Sequence, residues 1–121
     1  MSRFVRFHTV LRSPDSGCRL GLFRASETLI ERYDLPAYAD ELLRDSLRWF
    51  NANLDVPRLR SQQGRPIFWF RADADECLAQ IWTMVAIFNE EGLFVEQRTT
   101  RRPGHIVYRD EHQVAAIPGR R

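Results

Sequence analysis

Residues 66–100 encode a strand, a helix and a second strand in close succession: PIFWFRADADECLAQIWTMVAIFNEEGLFVEQRTT. The first segment, residues 66–71, is apolar on both alternating faces, which is typical of an interior strand covered on both sides. Asp73 and Glu76 have the spacing of a capping box and predict the start of a helix that ends near Gly92. A strand then follows, and a strand-helix-strand unit of this kind favours two parallel strands.

The helix of this unit is apolar around most of its circumference. Nearly every residue from 77 to 88 is apolar, so the helix is either the central helix of the core or part of a subunit interface. Trp82, Met84 and Ile87 are the interface candidates. Trp69 and Trp82 are expected to be mostly buried, and replacing Trp82 by alanine is expected to cost about 3–5 kcal/mol if it lies in the monomer core.

The rest of the chain is predicted from the same kinds of pattern. A half-buried strand spans residues 3–12, with Val5, Phe7, Thr9 and Leu11 on one face and Arg6, His8 and Arg12 on the other. Asp34 is a predicted N-cap. The further elements are helices at 21–33 and about 36–54, a basic loop at 55–65, and strands at 93–100, 105–109 and 112–117.

These elements predict an α+β fold in the order β-α-α-β-α-β-β-β. A mixed sheet of about five strands packs against about three helices on one face. Residues 1–117 are expected to form a single domain and residues 118–121 a flexible C-terminal tail.

Composition excludes several classes of protein. Apolar residues make up 44% of the 121 residues, which predicts a packed core, and no apolar run approaches the length of a membrane span. We therefore expect a cytoplasmic protein. Cys18 and Cys77 form no CxxC pair, so free thiols without a metal or cofactor are expected. All 18 basic residues are arginine, which excludes Schiff-base and P-loop lysine mechanisms.

Three segments form a distinctive combination: Trp49-Phe50-Asn51 at a helix end, the apolar strand Ile67-Phe68-Trp69-Phe70, and Arg102-Pro103-Gly104 followed by Asp110-Glu111-His112-Gln113-Val114. In these segments the chain resembles a group of small bacterial proteins of unassigned function. The resemblance covers about the last 80 residues of the sequence. It implies a standalone bacterial protein and supplies no activity, cofactor or catalytic residue.

Residues 101–113 contain the densest group of polar side chains of the types that take part in catalysis. His105 or His112 could transfer a proton, with Glu111 or Asp110 orienting the ring, in a small hydrolase-like enzyme. No established catalytic or zinc motif accompanies them. The competing structural explanation is that these residues are solvated side chains around a Pro-Gly turn chosen for its backbone shape.

Two non-catalytic functions compete with this enzyme. The sequence favours a protein-interaction or regulatory module, either bound to a partner protein or paired as a homodimer through the helix at 77–88. The alternative is nucleic-acid binding through arginine-rich segments, with exposed aromatic residues stacking on bases. The arginines of that alternative are Arg58, Arg60, Arg65, Arg71, Arg98, Arg101 and Arg102.

Overall fold

The computed structural model describes residues 3–57 and 65–119. These residues form six strands and three helices: β1 (Phe4–Arg12), β2 (Arg19–Gly21), α1 (Leu22–Arg32), α2 (Ala37–Asn53), β3 (Ile67–Arg71), α3 (Asp75–Glu90), β4 (Val95–Thr100), β5 (His105–Arg109) and β6 (Gln113–Ile117). The α+β class and the predicted order of elements are confirmed. The addition is β2, a three-residue strand that is too short to produce a sequence pattern.

β1 lies inside the sheet and pairs on both of its sides. Phe4 and Val5 each pair with a residue of β3 and with a residue of β4, so β1 separates these two strands. Every strand pair among the described residues is antiparallel. The expected mixed sheet with a parallel pair is therefore wrong. β3 and β4 do run in the same direction, but the N-terminal strand is inserted between them.

The sheet is strongly curved. Its order is β4-β1-β3-β6-β5, with β2 also paired to β1, and residues 101–104 connect the two edge strands. Four strand spacings separate the edges of a flat sheet by about 19 Å. Thr100 and His105 also lie toward opposite ends of the sheet. Because the five steps between them reach at most about 18 Å, the sheet must coil and bring its edges together.

All three helices pack against one face of the sheet, called here the helix face. It is defined by Val5 and Phe7 of β1, which share a single buried cluster with all three helices. The helix residues of this cluster are Leu22, Ala25 and Leu29 of α1, Ala39, Leu43 and Phe50 of α2, and Cys77, Ile81, Met84, Val85, Ile87 and Phe88 of α3. Cys77 is thus a core residue.

The opposite side of the sheet, called here the far face, carries Phe4, Arg6 and His8 of β1. Phe4, Val114 and Ala116 are buried although they lie outside the helix-face cluster. The curvature explains their burial, because a coiled sheet covers part of its own concave surface. Near β4 the far face remains accessible to solvent.

α3 ends as the sequence predicts. Gly92 has a φ of +76°, its N–H donates to the carbonyl of Asn89 at 3.0 Å, and the N–H of Leu93 donates to the carbonyl of Phe88 at 2.8 Å. This is a Schellman motif, in which glycine tolerates the left-handed conformation.

The two predicted N-caps are not formed. α2 begins after Pro36 rather than being capped by Asp34, and α3 begins after Ala74. Neither helix has a side-chain cap among the described residues. Asp73 instead accepts a hydrogen bond from the Arg71 guanidinium at 3.2 Å. Within the described ranges, none of the helices combines the length and apolar character needed to cross a membrane.

Trp82 is 49% exposed, so the expectation that it is mostly buried is wrong. Ala79 and Ala86 lie one turn away from Trp82 on α3 and are also exposed. Because alanine is apolar, the sequence pattern predicted a helix that is buried around most of its circumference. The ring of Trp82 packs edge-on against Phe7, with ring centres 5.6 Å apart. The other two interface candidates, Met84 and Ile87, are buried in the core of the monomer.

Candidate functional site

The side chain of Asp110 accepts four hydrogen bonds. One carboxylate oxygen accepts the backbone N–H groups of His112 at 2.8 Å and Gln113 at 2.9 Å. The other accepts the Tyr108 hydroxyl at 2.7 Å and the side-chain amide of Gln113 at 3.2 Å. The same amide of the buried Gln113 donates to the backbone carbonyl of Asp55 at 2.7 Å. This network connects the turn between β5 and β6 to the segment after α2.

The ionisation of this network follows from its hydrogen bonds. Burial alone raises the pKa of Asp110, but the hydrogen bonds from Tyr108, His112 and Gln113 favour the carboxylate, and the net effect is a lowered pKa. The hydrogen bond to Asp110 raises the pKa of Tyr108 to about 12. Both oxygens of Asp110 are therefore occupied in holding the turn together.

His105 lies far from the other three catalytic candidates. It begins β5 opposite Ile117. Ile117 is five residues along the chain from His112, a separation of about 16 Å on an extended strand. His112 Nε2 lies 3.3 Å from Oε1 of Glu111, whose side chain is 83% exposed. Among residues 3–57 and 65–119 there is no group of three or more His, Cys, Asp or Glu side chains that could hold a metal ion.

The Pro-Gly turn before β5 has a steric explanation. Gly104 has a φ of +118°, and a Cβ atom at this position would lie 2.2 Å from the carbonyl oxygen of Ile117. Only glycine fits such a close approach between two backbones. The turn residues are therefore explained by backbone shape.

The arginines of the nucleic-acid hypothesis occupy several elements. Arg98 lies on β4, and Arg71 ends β3 and pairs with Asp73. Four of the candidates are exposed: Arg65, Arg98, Arg101 and Arg102. Arg58 and Arg60 lie outside the described residues.

A gap opens in the sheet at Arg6 and Phe7. β1 pairs with β3 through Phe4 and Val5, and with β2 from His8 onward. Because Phe4, Val5 and His8 also pair with β4, β2 and β3 must lie on the same side of β1, one after the other. Arg6 and Phe7 face the interval between them. We call this interval the fork.

A pocket of about 340 Å³ opens at the fork. Its volume is at the lower end of the range of small-molecule sites, about 300–1,000 Å³. The apolar residues that line it are Phe7, Leu22, Phe23, Leu54, Val56, Phe68, Trp69, Phe70 and Ile81. The remaining lining residues are Arg6, Gly21, Arg24, Asp55 and Gln113. An apolar cavity with a few polar groups is the usual form of a ligand site.

The residues that line this fork pocket include several hydrogen-bond donors. Trp69 Nε1 is buried and has no hydrogen-bond partner among the described residues. The guanidinium of Arg6 lies 5.2 Å from the centre of the Trp69 ring, a cation–π contact. α1 begins in the pocket wall, and its first turn has neither an acidic residue nor a capping side chain. Its free N–H groups add positive potential.

Arg6 is a cation in an unfavourable setting. Burial, and secondly the charge of Arg98, lower its pKa. None of the ion pairs between described residues involves Arg6. Asp55 also lines the pocket, so two arginines and one aspartate give the lining a net charge of +1. An anionic group placed in the pocket beside Arg6 supplies the ion-pair partner that Arg6 lacks among the described residues.

A row of charges crosses β1, β2 and β4 next to the pocket. Arg6 pairs directly with Arg98, and His8 pairs with Glu96. Glu96 accepts from Arg19 Nη1 at 2.8 Å and lies 3.5 Å from Arg98 Nε. Burial, followed by Arg6 and Arg98, lowers the pKa of His8, against the opposing effect of Glu96. Arg19 and Arg98 therefore share the Glu96 carboxylate, and Arg6 lies directly across from Arg98.

Comparison with protein-family models gave no match, and comparisons with curated proteins and with solved structures gave none either. The function is therefore argued from the site alone. Sequence reasoning found Arg98 but missed the fork pocket, including Arg6, Gly21 and the role of Trp69. The one available signal was the alternation of Arg6 and His8 with apolar residues in β1.

Proposed function

We propose that the protein is a non-catalytic binding module that holds a small, mainly apolar anion in the fork pocket. The observation on which this depends is an apolar pocket lined by Arg6 and Trp69, where Arg6 has no ion pair and Trp69 Nε1 no hydrogen bond among the described residues. A buried donor without a partner costs about 1–3 kcal/mol. A carboxylate, sulfonate or phosphate group of a ligand removes this cost, while the aromatic walls bind its apolar part.

The pocket size sets the kind of ligand. An aromatic ring system or a short alkyl chain with one acidic group suits a volume of about 340 Å³. Naphthalene-1-acetate is a suitable probe, and naphthalene-1-acetamide is its neutral counterpart of nearly equal shape. At about −0.3 kcal/mol for each of its roughly fourteen non-hydrogen atoms, the acid should bind with a Kd of about 1 mM or tighter.

Isothermal titration calorimetry with the two compounds tests the proposal. The acid is expected to bind at least roughly tenfold more tightly than the amide, because a charge-assisted hydrogen bond is worth about 1.5–3 kcal/mol. Arg6→Met retains the alkyl stem and should abolish this preference. Arg48→Met, in an exposed ion pair on α2, should leave it unchanged. Failure of both naphthalene-1-acetate and decanoate to bind would contradict the proposal.

A pocket-filling variant provides a second test. Gly21 lines the pocket with a φ of −67°, and of the described residues a Cβ atom there meets only the carbonyl oxygen of Phe7, at 4.0 Å. Gly21→Leu should therefore fold normally and prevent binding of the acid. Gly119→Leu is the matched control, because a Cβ atom at Gly119 meets no atom within 4 Å. Unaltered binding by Gly21→Leu would place the ligand elsewhere.

The proposal also includes cytoplasmic residence, which the two free cysteines support. A partner protein or a second copy of the chain is a second candidate ligand, and the exposed Trp82 favours it. Light scattering tests self-association. A homodimer formed through α3 should have twice the mass of one chain, and Trp82→Glu should return it to the mass of the monomer.

A further inference from the structure

The charged row beside the fork pocket contains a pairing that strands normally avoid. Arg6 and Arg98 are direct cross-strand partners, and like charges in that position destabilise a sheet. They also lie on the same, far face, because alternate residues of a strand point to the same side. Glu96 is shared between Arg19 and Arg98. The three arginines and this glutamate therefore leave a net charge of +2, which an external anion can neutralise.

Aromatic side chains accompany these charges. Phe94 is 62% exposed and immediately precedes β4, two residues before Glu96. The alternation of an extended chain assigns it to the same side as Glu96 and Arg98. Trp69 lies under the Arg6 guanidinium on the same face. An exposed aromatic ring beside arginines provides a stacking surface for a base next to groups that bind phosphate.

The exposed part of the far face favours a chain of phosphates over a single one. Arg98 and Arg19 are 55% and 32% exposed, and Arg101 and Arg102 continue the basic edge beyond β4. We infer that this surface binds single-stranded nucleic acid, with Arg6, Arg19 and Arg98 on the phosphates and Phe94 stacked on a base. This surface shares Arg6 with the fork pocket, whereas Arg19, Arg98 and Phe94 do not line that pocket.

Fluorescence anisotropy with a labelled oligo(dT) of about twelve nucleotides tests this inference. Three neutralised phosphates predict that the logarithm of the affinity falls with the logarithm of salt concentration at a slope of about −2. Affinity should then drop roughly 20-fold between about 50 and 200 mM salt. Oligo(rU) of the same length distinguishes RNA from DNA, and tighter binding of a duplex than of either single strand would overturn the inference.

Matched variants distinguish the phosphate contacts from the stacking contact with a base. Arg98→Gln should reduce the slope to about −1.4, whereas Arg44→Gln, in an exposed ion pair on α2, should leave it at about −2. Phe94→Ala should weaken binding about fivefold or more without a change in slope. Circular dichroism establishes that each variant is folded.

Two further results would overturn the inference. One is the absence of binding by wild-type protein at about 20 mM salt, where the electrostatic contribution is largest. The other is equal affinity of Arg98→Gln and Arg44→Gln. Gly21→Leu distinguishes the two proposals, because it should remove ligand binding in the fork pocket and leave oligonucleotide binding unchanged.

Discussion

Replacing Asp110 by alanine should destabilise the protein substantially without involving any catalytic step. The change removes the acceptor of four hydrogen bonds, one of them from the buried amide of Gln113. A hydrogen bond to a charged group is worth about 1.5–3 kcal/mol, and bonds that share one carboxylate are not additive. We therefore expect a loss of about 3 kcal/mol in the free energy of unfolding, and a Tm lower by roughly 10 °C.

The pH dependence of this loss has a defined sign. The pKa of Asp110 in the folded state is below its ordinary value, so the network is fully stabilising at neutral pH and weakens as the pH falls through the folded-state pKa. The difference between the variant and the wild type should narrow below about pH 4. Tyr108 has the opposite pH dependence. Its pKa is raised to about 12, so its contribution to the free energy of unfolding is complete below about pH 10 and is lost as the pH rises through 12.

Urea denaturation at several pH values measures both effects. Glu111→Ala is the matched control, because Glu111 is adjacent in sequence but its side chain is 83% exposed, and its loss should cost at most about 0.5 kcal/mol. Equal effects of the two substitutions would refute the structural role assigned to Asp110. So would a destabilisation by Asp110→Ala that is the same at pH 3 and pH 7.

Three further predictions concern other parts of the fold. Trp82→Ala should cost only about 1–2 kcal/mol in urea denaturation, because half of the side chain is already in solvent. At pH 8 a thiol reagent should modify the exposed Cys18 rapidly and Cys77 only on unfolding, because burial raises the pKa of Cys77 to about 11. Gly104→Ala should cost more than about 2 kcal/mol, since the new Cβ lies 2.2 Å from a backbone oxygen, whereas Gly119→Ala should be nearly neutral in the same thermal melt.

Local patterns predicted most of the fold. The alternation in β1 placed Val5 and Phe7 on the buried face, and Gly92 marked the end of α3. The parallel arrangement of β3 and β4 as neighbours was wrong because it considered only the strand-helix-strand unit. The N-terminal strand β1 occupies the edge of β3 at which β4 was expected to pair. A rule based on elements that are adjacent in sequence does not take β1 into account.

The candidate site could not be predicted in the same way. The fork pocket is lined by residues from segments spread between Arg6 and Gln113. Its position depends on the point along β1 at which the pairing partner changes from β3 to β2. Register is a long-range property that arises from the whole sheet. The pairing of Arg6 with Arg98 is hidden for the same reason, although Arg98 itself was a candidate.

The central claim is that a small apolar anion occupies the fork pocket. A ¹H–¹⁵N correlation spectrum recorded during titration with naphthalene-1-acetate tests it most directly, with Trp69→Phe used to assign the indole signals. The indole N–H signal of Trp69 should shift as the donor gains a partner, while those of Trp49 and Trp82 stay in place. A shift confined to Trp82, or no indole shift at saturating ligand, would contradict the claim.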